Sequence, residues 1–256
     1  MEKIFENPFK AALKGDRPTF GVWMDTTSPY LAEIAATCGY DWMLFDGEHA
    51  PNTLQTMLQQ MQAVTAYDTH PIVRLVEGSA AGIKHILDIG VKSVMIPMVE
   101  TEAQAAAMVS AMRYPPGGVR GAGAAVGRAT RWNRAPDYMQ RVEESLCLVL
   151  QAESPRALDN LDAITALDGV DGIFIGPIDL ATEMGFQGDI TRPEVQAAVE
   201  SGIKRIRANG KGAGVFAMNP EFADRCIAWG ANMVAIACDA LAYVEILEAK
   251  LARFKR

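Results

Sequence analysis

The 256-residue chain is half hydrophobic and carries a net charge of −7, enough to build a substantial core but a poor match for a nucleic-acid partner, which recruits clustered Lys and Arg. No run of about eighteen apolar residues suggests a membrane span, and MEKIFENPFK does not read as a secretory signal. Cys38, Cys147, Cys226 and Cys238 lack CxxC spacing, and Cys38 and Cys147 lie in apolar segments, so buried free thiols and a cytoplasmic location are expected.

Along the chain, short apolar runs alternate with longer amphipathic ones. Strands are expected near 20–24, 42–46, 71–76, 93–98, 146–152, 171–175, 212–217 and 232–237. Helical stretches fall between and after them, near 28–38, 53–65, 80–89, 101–112, 155–166, 193–209, 220–229 and 239–254. Strands buried on both faces and separated by helices are parallel. Eight such units favour one closed (β/α)₈ barrel domain over residues 1–256, with an open doubly wound sheet as the alternative. The stretch 113–134 is the longest irregular segment. Its length marks it as functional or flexible, and its glycines do not open a helix after a strand, as a dinucleotide fingerprint requires.

Barrel chemistry sits at the C-terminal ends of strands. Strand two ends in Asp46-Gly47-Glu48-His49, strand three carries Arg74, strand five ends in Gln151-Ala152-Glu153, and strand six leads into Gly176-Pro177-Ile178-Asp179. His70 precedes strand three and His85 lies in a helix, which leaves His49 as the candidate base. Lys92 and Lys211 precede their strands, so no lysine is placed for an imine mechanism. Glu153 and Asp179 on adjacent strand ends suit a hard divalent cation such as Mg²⁺ or Mn²⁺; helix capping explains two such acids about as well. Arg74 in the apolar run IVRLV is either an ion-pair partner in the core or a stabiliser of developing negative charge. Asp88 ends the third helix as a surface residue, and Trp23 ends strand one as core or pocket wall.

The segments GYDWMLFDGEHAPN, PIVRLVEG, KHILDIG, MIPMVET, RYPPGGVRG and GVDGIFIGPIDLA together resemble the metal-dependent pyruvate aldolases typified by 4-hydroxy-2-oxoheptanedioate aldolase, the HpcH/HpaI type, over nearly the whole chain. The resemblance implies a barrel of the phosphoenolpyruvate/pyruvate-binding type. It implies His49 as proton acceptor with Asp88 raising its basicity, Arg74 as transition-state stabiliser, and Glu153 and Asp179 as ligands of a divalent metal, Mg²⁺ first, with Mn²⁺, Co²⁺ or Ni²⁺ as alternatives. Gln151 and the turn Gly176, Pro177, Ile178 and Asp179 would hold pyruvate; Trp23, from its place at the end of strand one, is a further substrate-binding candidate. ENPFK, AEIAATCGYDW, LDNLDAI and AWGANMVA point within the family to a 2-keto-3-deoxy sugar acid such as 2-keto-3-deoxy-L-rhamnonate. The alternatives are a 4-hydroxy-2-oxo diacid and, from another class, a non-catalytic barrel that binds a 2-oxo acid. A homo-oligomer, typically a hexamer, is implied, with Arg120, Arg128 and Arg131 placed to reach a neighbour's substrate. Ile178, Phe216 and Met218 depart from the family pattern and put the aldehyde partner in question.

Overall fold

The computed structural model describes residues 2–255. A short helix α1 (Pro8–Leu13) precedes eight parallel strands: β1 (Thr19–Met24), β2 (Trp42–Asp46), β3 (His70–Arg74), β4 (Ser93–Ile96), β5 (Cys147–Ala152), β6 (Gly172–Ile175), β7 (Gly212–Phe216) and β8 (Met233–Cys238). They pair in chain order and β8 closes onto β1, as the alternation of apolar runs predicts. The linking helices are α2 (Pro29–Ala36), α3 (Leu54–Val64), α4 (Ala80–Asp88), α5 (Glu102–Met112), α6 (Tyr138–Arg141), α7 (Pro155–Asp159), α8 (Leu161–Ala166), α9 (Pro177–Glu183), α10 (Pro193–Ala208), α11 (Pro220–Trp229) and α12 (Asp239–Ala252).

Two packed layers follow from the period-two alternation of a strand. Val22, Met43, Phe45, Val73, Val94 and Ile96 face the helices, while Trp42, Leu44, Ile72, Met95, Val149 and Phe174 fill the barrel. Gly21 is required where it stands: a Cβ there would lie 2.2 Å from the Trp42 indole. Phe9 and Leu13 of α1 join the inner layer and close the N-terminal end, where Phe9 stacks on His70 with centroids 5.4 Å apart. The inward row that begins with Trp42 and Leu44 continues to Asp46; that of Ile72 continues to Arg74, and that of Cys147 and Val149 to Gln151. The core's own alternation therefore delivers polar groups to the C-terminal rim.

Two details differ from the sequence reading. The stretch 155–166 is two helices, broken at Asn160, whose Nδ2 donates to the Glu100 carbonyl (2.8 Å) and the Arg156 carbonyl (3.1 Å). Cys38 is exposed just past the end of α2, whereas Cys147 is buried; Cys38 lies beyond Ala36, the last residue of the helix and still part of the core. α12 has no buried residue; Leu241, Val244, Ile246, Leu247 and Leu251 are all about half exposed. No helix among the described residues is long and apolar enough to cross a membrane.

Candidate active site

Asp46 and Arg74 are register partners across β2 and β3. Arg74 donates from Nε to Asp46 Oδ1 (2.8 Å) and from Nη2 to Oδ2 (2.6 Å). Trp23 Nε1 donates to the same Oδ2 at 3.3 Å, and its ring lies 4.9 Å from the guanidinium carbon. Arg74 Nη1 reaches Gln151 Oε1 at 3.3 Å, Gln151 Nε2 donates to Glu153 Oε2 at 3.0 Å, and the Met98 amide donates to Glu153 Oε1 at 2.9 Å. One hydrogen-bonded chain thus runs Trp23–Asp46–Arg74–Gln151–Glu153, and every side chain in it is buried.

The charges are balanced closely. Burial alone would raise the Asp46 carboxyl, but the Arg74 guanidinium outweighs it and holds Asp46 below the usual carboxylate range. Glu48 sits 2.7 Å from Arg74 Nη1, in an ion contact without hydrogen-bond alignment, and burial raises its pKa. Burial pushes Glu153 up to about 7; the Met98 amide opposes this, and the nearby Asp179 charge adds to it.

Neither acid makes a side-chain capping bond among the described residues, although Asp179 suits the first turn of its helix. Ser154, not Glu153, caps α7, its Oγ accepting from the Ala157 amide at 3.1 Å. Asp179 stands in the first turn of α9, whose N-cap, Gly176, has no side chain to offer. The space above Gly176 is shared by both carboxylates: a Cβ there would lie 2.7 Å from Glu153 Oε2 and 3.6 Å from Asp179 Oδ2. Glu153 and Asp179 therefore converge on a glycine-lined cradle at the rim, a hard two-oxygen donor set that fits a divalent cation with open positions for substrate.

His49 is solvent-facing, its side chain 71% exposed, with Nε2 3.9 Å from Glu48 Oε2. Pro177 is buried and Ile178 half exposed on the same turn. Trp23 packs against Phe174 (5.4 Å) and Phe216 (5.3 Å), an aromatic wall inside the rim. Asp88 is not beside His49 in this chain: it ends α4, which runs back to the N-terminal end of the barrel, and accepts from Arg120 Nη2 at 3.0 Å. Arg120 is itself buried on Tyr114, and Arg128 is fastened to the Ile89 carbonyl and Thr65, so both turn inward.

Asp46 and Glu48 are functional neighbours to which the sequence reading gave no role. Parity with inward-facing Leu44 could have found Asp46. The only three-ligand grouping among the described residues is Asp25, Cys238 and Asp239, with ligand atoms within 4.8 Å of one another. Burial raises the Cys238 thiol to about 11, and Asp239 already accepts from the Asp25 amide at 2.8 Å, so this grouping ties β1 to α12 and is a poor cation site.

Over residues 19–245 the chain matches the HpcH/HpaI aldolase/citrate lyase family. It is 52% identical over 255 residues to proteins named 2-keto-3-deoxy-L-rhamnonate aldolase from Salmonella gallinarum and Escherichia coli O1:K1 / APEC, covering 100% of this chain and 96% of each relative. A solved HpcH/HpaI aldolase/citrate lyase family protein from Burkholderia cenocepacia J2315 superimposes with a TM-score of 0.94 at 31% identity, covering 98% of this chain and 100% of that one. Macrophomate synthase shares the fold, with a TM-score of 0.84 at 22% identity over 96% of this chain and 89% of that one. The barrel and its relatives define a carbon–carbon lyase, an aldolase. The chain belongs to the HpcH/HpaI aldolase/citrate lyase family of metal-dependent class II aldolases.

Proposed function

We propose that this enzyme cleaves a 2-keto-3-deoxy sugar acid, foremost 2-keto-3-deoxy-L-rhamnonate, between C3 and C4 into pyruvate and an aldehyde. The observation that carries this reading is the buried Arg74–Gln151–Glu153 chain ending at the cradle shared with Asp179. Identity to the rhamnonate-named enzymes over the whole chain supports the substrate.

Glu153 and Asp179 hold the divalent metal, Mg²⁺ first. When bound, the cation supplies Lewis-acid stabilisation of the charge developing on the 2-oxo group. The turn Gly176-Pro177-Ile178-Asp179 seats the pyruvate carboxylate at the start of α9, where the N–H groups of Ile178 and Asp179 have no intrahelical acceptor, and Gln151 fixes its orientation. His49 accepts the proton of the 4-hydroxyl. The C3–C4 bond breaks, the aldehyde leaves, the electron pair moves towards the 2-oxo oxygen, which Arg74 faces, and a proton delivered to C3, equivalent to the one His49 took up, completes pyruvate and resets the base. Trp23 and Phe216 wall off the side on which the aldehyde departs, and Ile178 narrows the entrance.

Among the described residues, Glu48 is the one charged partner within reach of His49. The Asp88 that raises its basicity therefore belongs to another copy, in a homo-oligomer of hexameric type. The apolar residues exposed along α12, with Tyr30 and Ile34 on α2, are the surface such an assembly covers. The test is pyruvate release from a panel of 2-keto-3-deoxy sugar acids and 4-hydroxy-2-oxo diacids, with and without EDTA. Metal-dependent cleavage of the rhamnonate acid is expected; preference for the diacids, or cleavage untouched by EDTA, overturns the reading.

A further inference from the structure

At the N-terminal end of the barrel, away from the catalytic rim, a cleft of about 300 Å³ opens between the starts of β3 and β4, the end of α3 and the turn at 128–131. Among the described residues four cations line it, Lys3, Lys92, Arg128 and Arg131, and no carboxylate does. Among the described residues none of the four makes an ion pair. In a chain with net charge −7 this is a local reversal of sign.

The cations are held against one another. Burial depresses the basicity of Arg128, and the facing Arg131 charge depresses it further. Burial does the same to Lys92, where Glu6 opposes the shift and Arg131 adds to it. Arg128 cannot swing away: Nη1 donates to the Ile89 carbonyl at 2.8 Å and Nη2 to Thr65 Oγ1 at 3.3 Å. Lys92 Nζ is fixed by the carbonyls of Lys3 and Glu6. Arg131 opens three consecutive non-glycine residues in the left-handed region, with φ of 54°, 54° and 63°, a conformation that persists only where the surroundings impose it. Thr69 also lines the cleft; it is 6% exposed, and its Oγ1 meets no partner.

Like charges fixed together, with only the Glu6 carboxylate acting on Lys92 from outside the lining, call for an anion. We propose that this cleft binds a small phosphate-type dianion. The guanidinium forks of Arg128 and Arg131 match tetrahedral oxygens in paired hydrogen bonds, Lys92 acts as a point charge, and the Thr69 hydroxyl supplies a further donor. The volume admits phosphate with a few carbon atoms attached, so free phosphate and a short phosphate ester share the chemistry. An occupant ties together the N-terminal segment, α3 and the 128–131 turn, and so stabilises the fold by mass action.

The experiment is calorimetric titration of the metal-loaded protein, saturated with pyruvate so that the rim is occupied, at constant ionic strength set with chloride. Inorganic phosphate and glycerol 3-phosphate are the two ligand arms, and the better binder identifies the source. Arg131→Asn removes the charge with a residue that tolerates the left-handed region. Arg134→Asn makes the same charge change outside the cleft and serves as control. Binding to the native protein, weakened about tenfold or more by Arg131→Asn and unchanged by Arg134→Asn, is expected. No binding in either arm, or equal affinity in all three proteins, or equal weakening by both substitutions, overturns the proposal.

Discussion

Arg74 grips both carboxylate oxygens of Asp46, at 2.8 and 2.6 Å, across two strands that hold the residues in register. Asp46 is 1% exposed and Arg74 6%, so the pair is fixed by geometry and by its isolation from water. Its value is orientation: with Nε and Nη2 committed to Asp46, Nη1 is the nitrogen left to face Gln151 and Glu48. Asp46→Asn keeps the shape and removes the charge. Breaking a buried pair on one side costs about 3–5 kcal/mol of stability, so the thermal midpoint should fall. Loss of a well-placed donor lowers kcat by about 10²–10³, with a smaller effect on KM. Steady-state kinetics and a melting curve check this together; an unchanged kcat would show that Asp46 does not orient Arg74.

Gly176 tests the cation cradle without touching either ligand. A methyl group there meets Glu153 Oε2 at 2.7 Å and Glu153 Cβ at 3.1 Å, so Gly176→Ala must displace the carboxylate. The φ of Gly176 is −91°, which alanine adopts freely, so the substitution acts through crowding and not backbone strain. Metal affinity by titration should drop by about tenfold or more, as for disturbed ligand support, while circular dichroism stays native. Glu153→Gln and Asp179→Asn should abolish EDTA-reversible binding. Wild-type affinity in Gly176→Ala would place the cation elsewhere.

Much of this site was legible because a barrel is a regular object. Parallel strands buried on both faces read as apolar runs, and Glu153 and Asp179 stand just past two of them. Parity extends the reading further, since Leu44 points inward and Asp46 must follow it. What stayed hidden depends on contacts with no local signature. Whether Glu153 caps α7 is decided by Ser154 beside it, which makes the better cap. The break at Asn160 depends on a carbonyl of Glu100 brought from the preceding strand–helix unit. The exposed apolar side of α12 has the composition of a buried helix, and only the packed chain shows that none of the described residues covers that side. The resemblance names Asp88 as the partner of His49, but no local signal tells that Asp88 sits on Arg120 within its own chain.

His70 gives a pH signature unrelated to catalysis. Burial, with the Lys92 charge adding to it, holds its pKa at about 3 against an ordinary 6.5. Nε2 faces Ser93 Oγ at 2.8 Å. A lowered folded pKa means that the unfolded chain takes up the proton first. This contribution to stability is therefore complete above about pH 6.5 and is lost as the pH falls towards 3. His70→Gln retains a hydrogen-bonding group for Ser93 and removes the titration. The difference in unfolding free energy between the two proteins should shrink as the pH drops from 7 through the acidic range. A constant difference would show that His70 takes its proton in the folded state.

Asp88 and His49 allow a decisive test of assembly. Within one chain Asp88 ends α4 on Arg120, towards the end of the barrel away from His49. Its side chain is still 28% exposed, which leaves it open to another subunit. If each site combines His49 of one copy with Asp88 of the next, the two residues complement in trans. His49→Ala and Asp88→Asn should each be nearly inactive alone, the second with an altered pH–rate profile because the histidine loses its orienting charge. Unfolded together in equal amounts and refolded, they should form mixed oligomers. In a ring with one neighbour completing each site, about one site in four then carries both native residues, and activity should recover to about that fraction. Mixing without unfolding should recover it slowly, at the rate of subunit exchange. Mixed oligomers, verified by tagging one variant, that remain as inactive as either parent would mean that Asp88 supports its own chain through Arg120 and that His49 works with Glu48 alone.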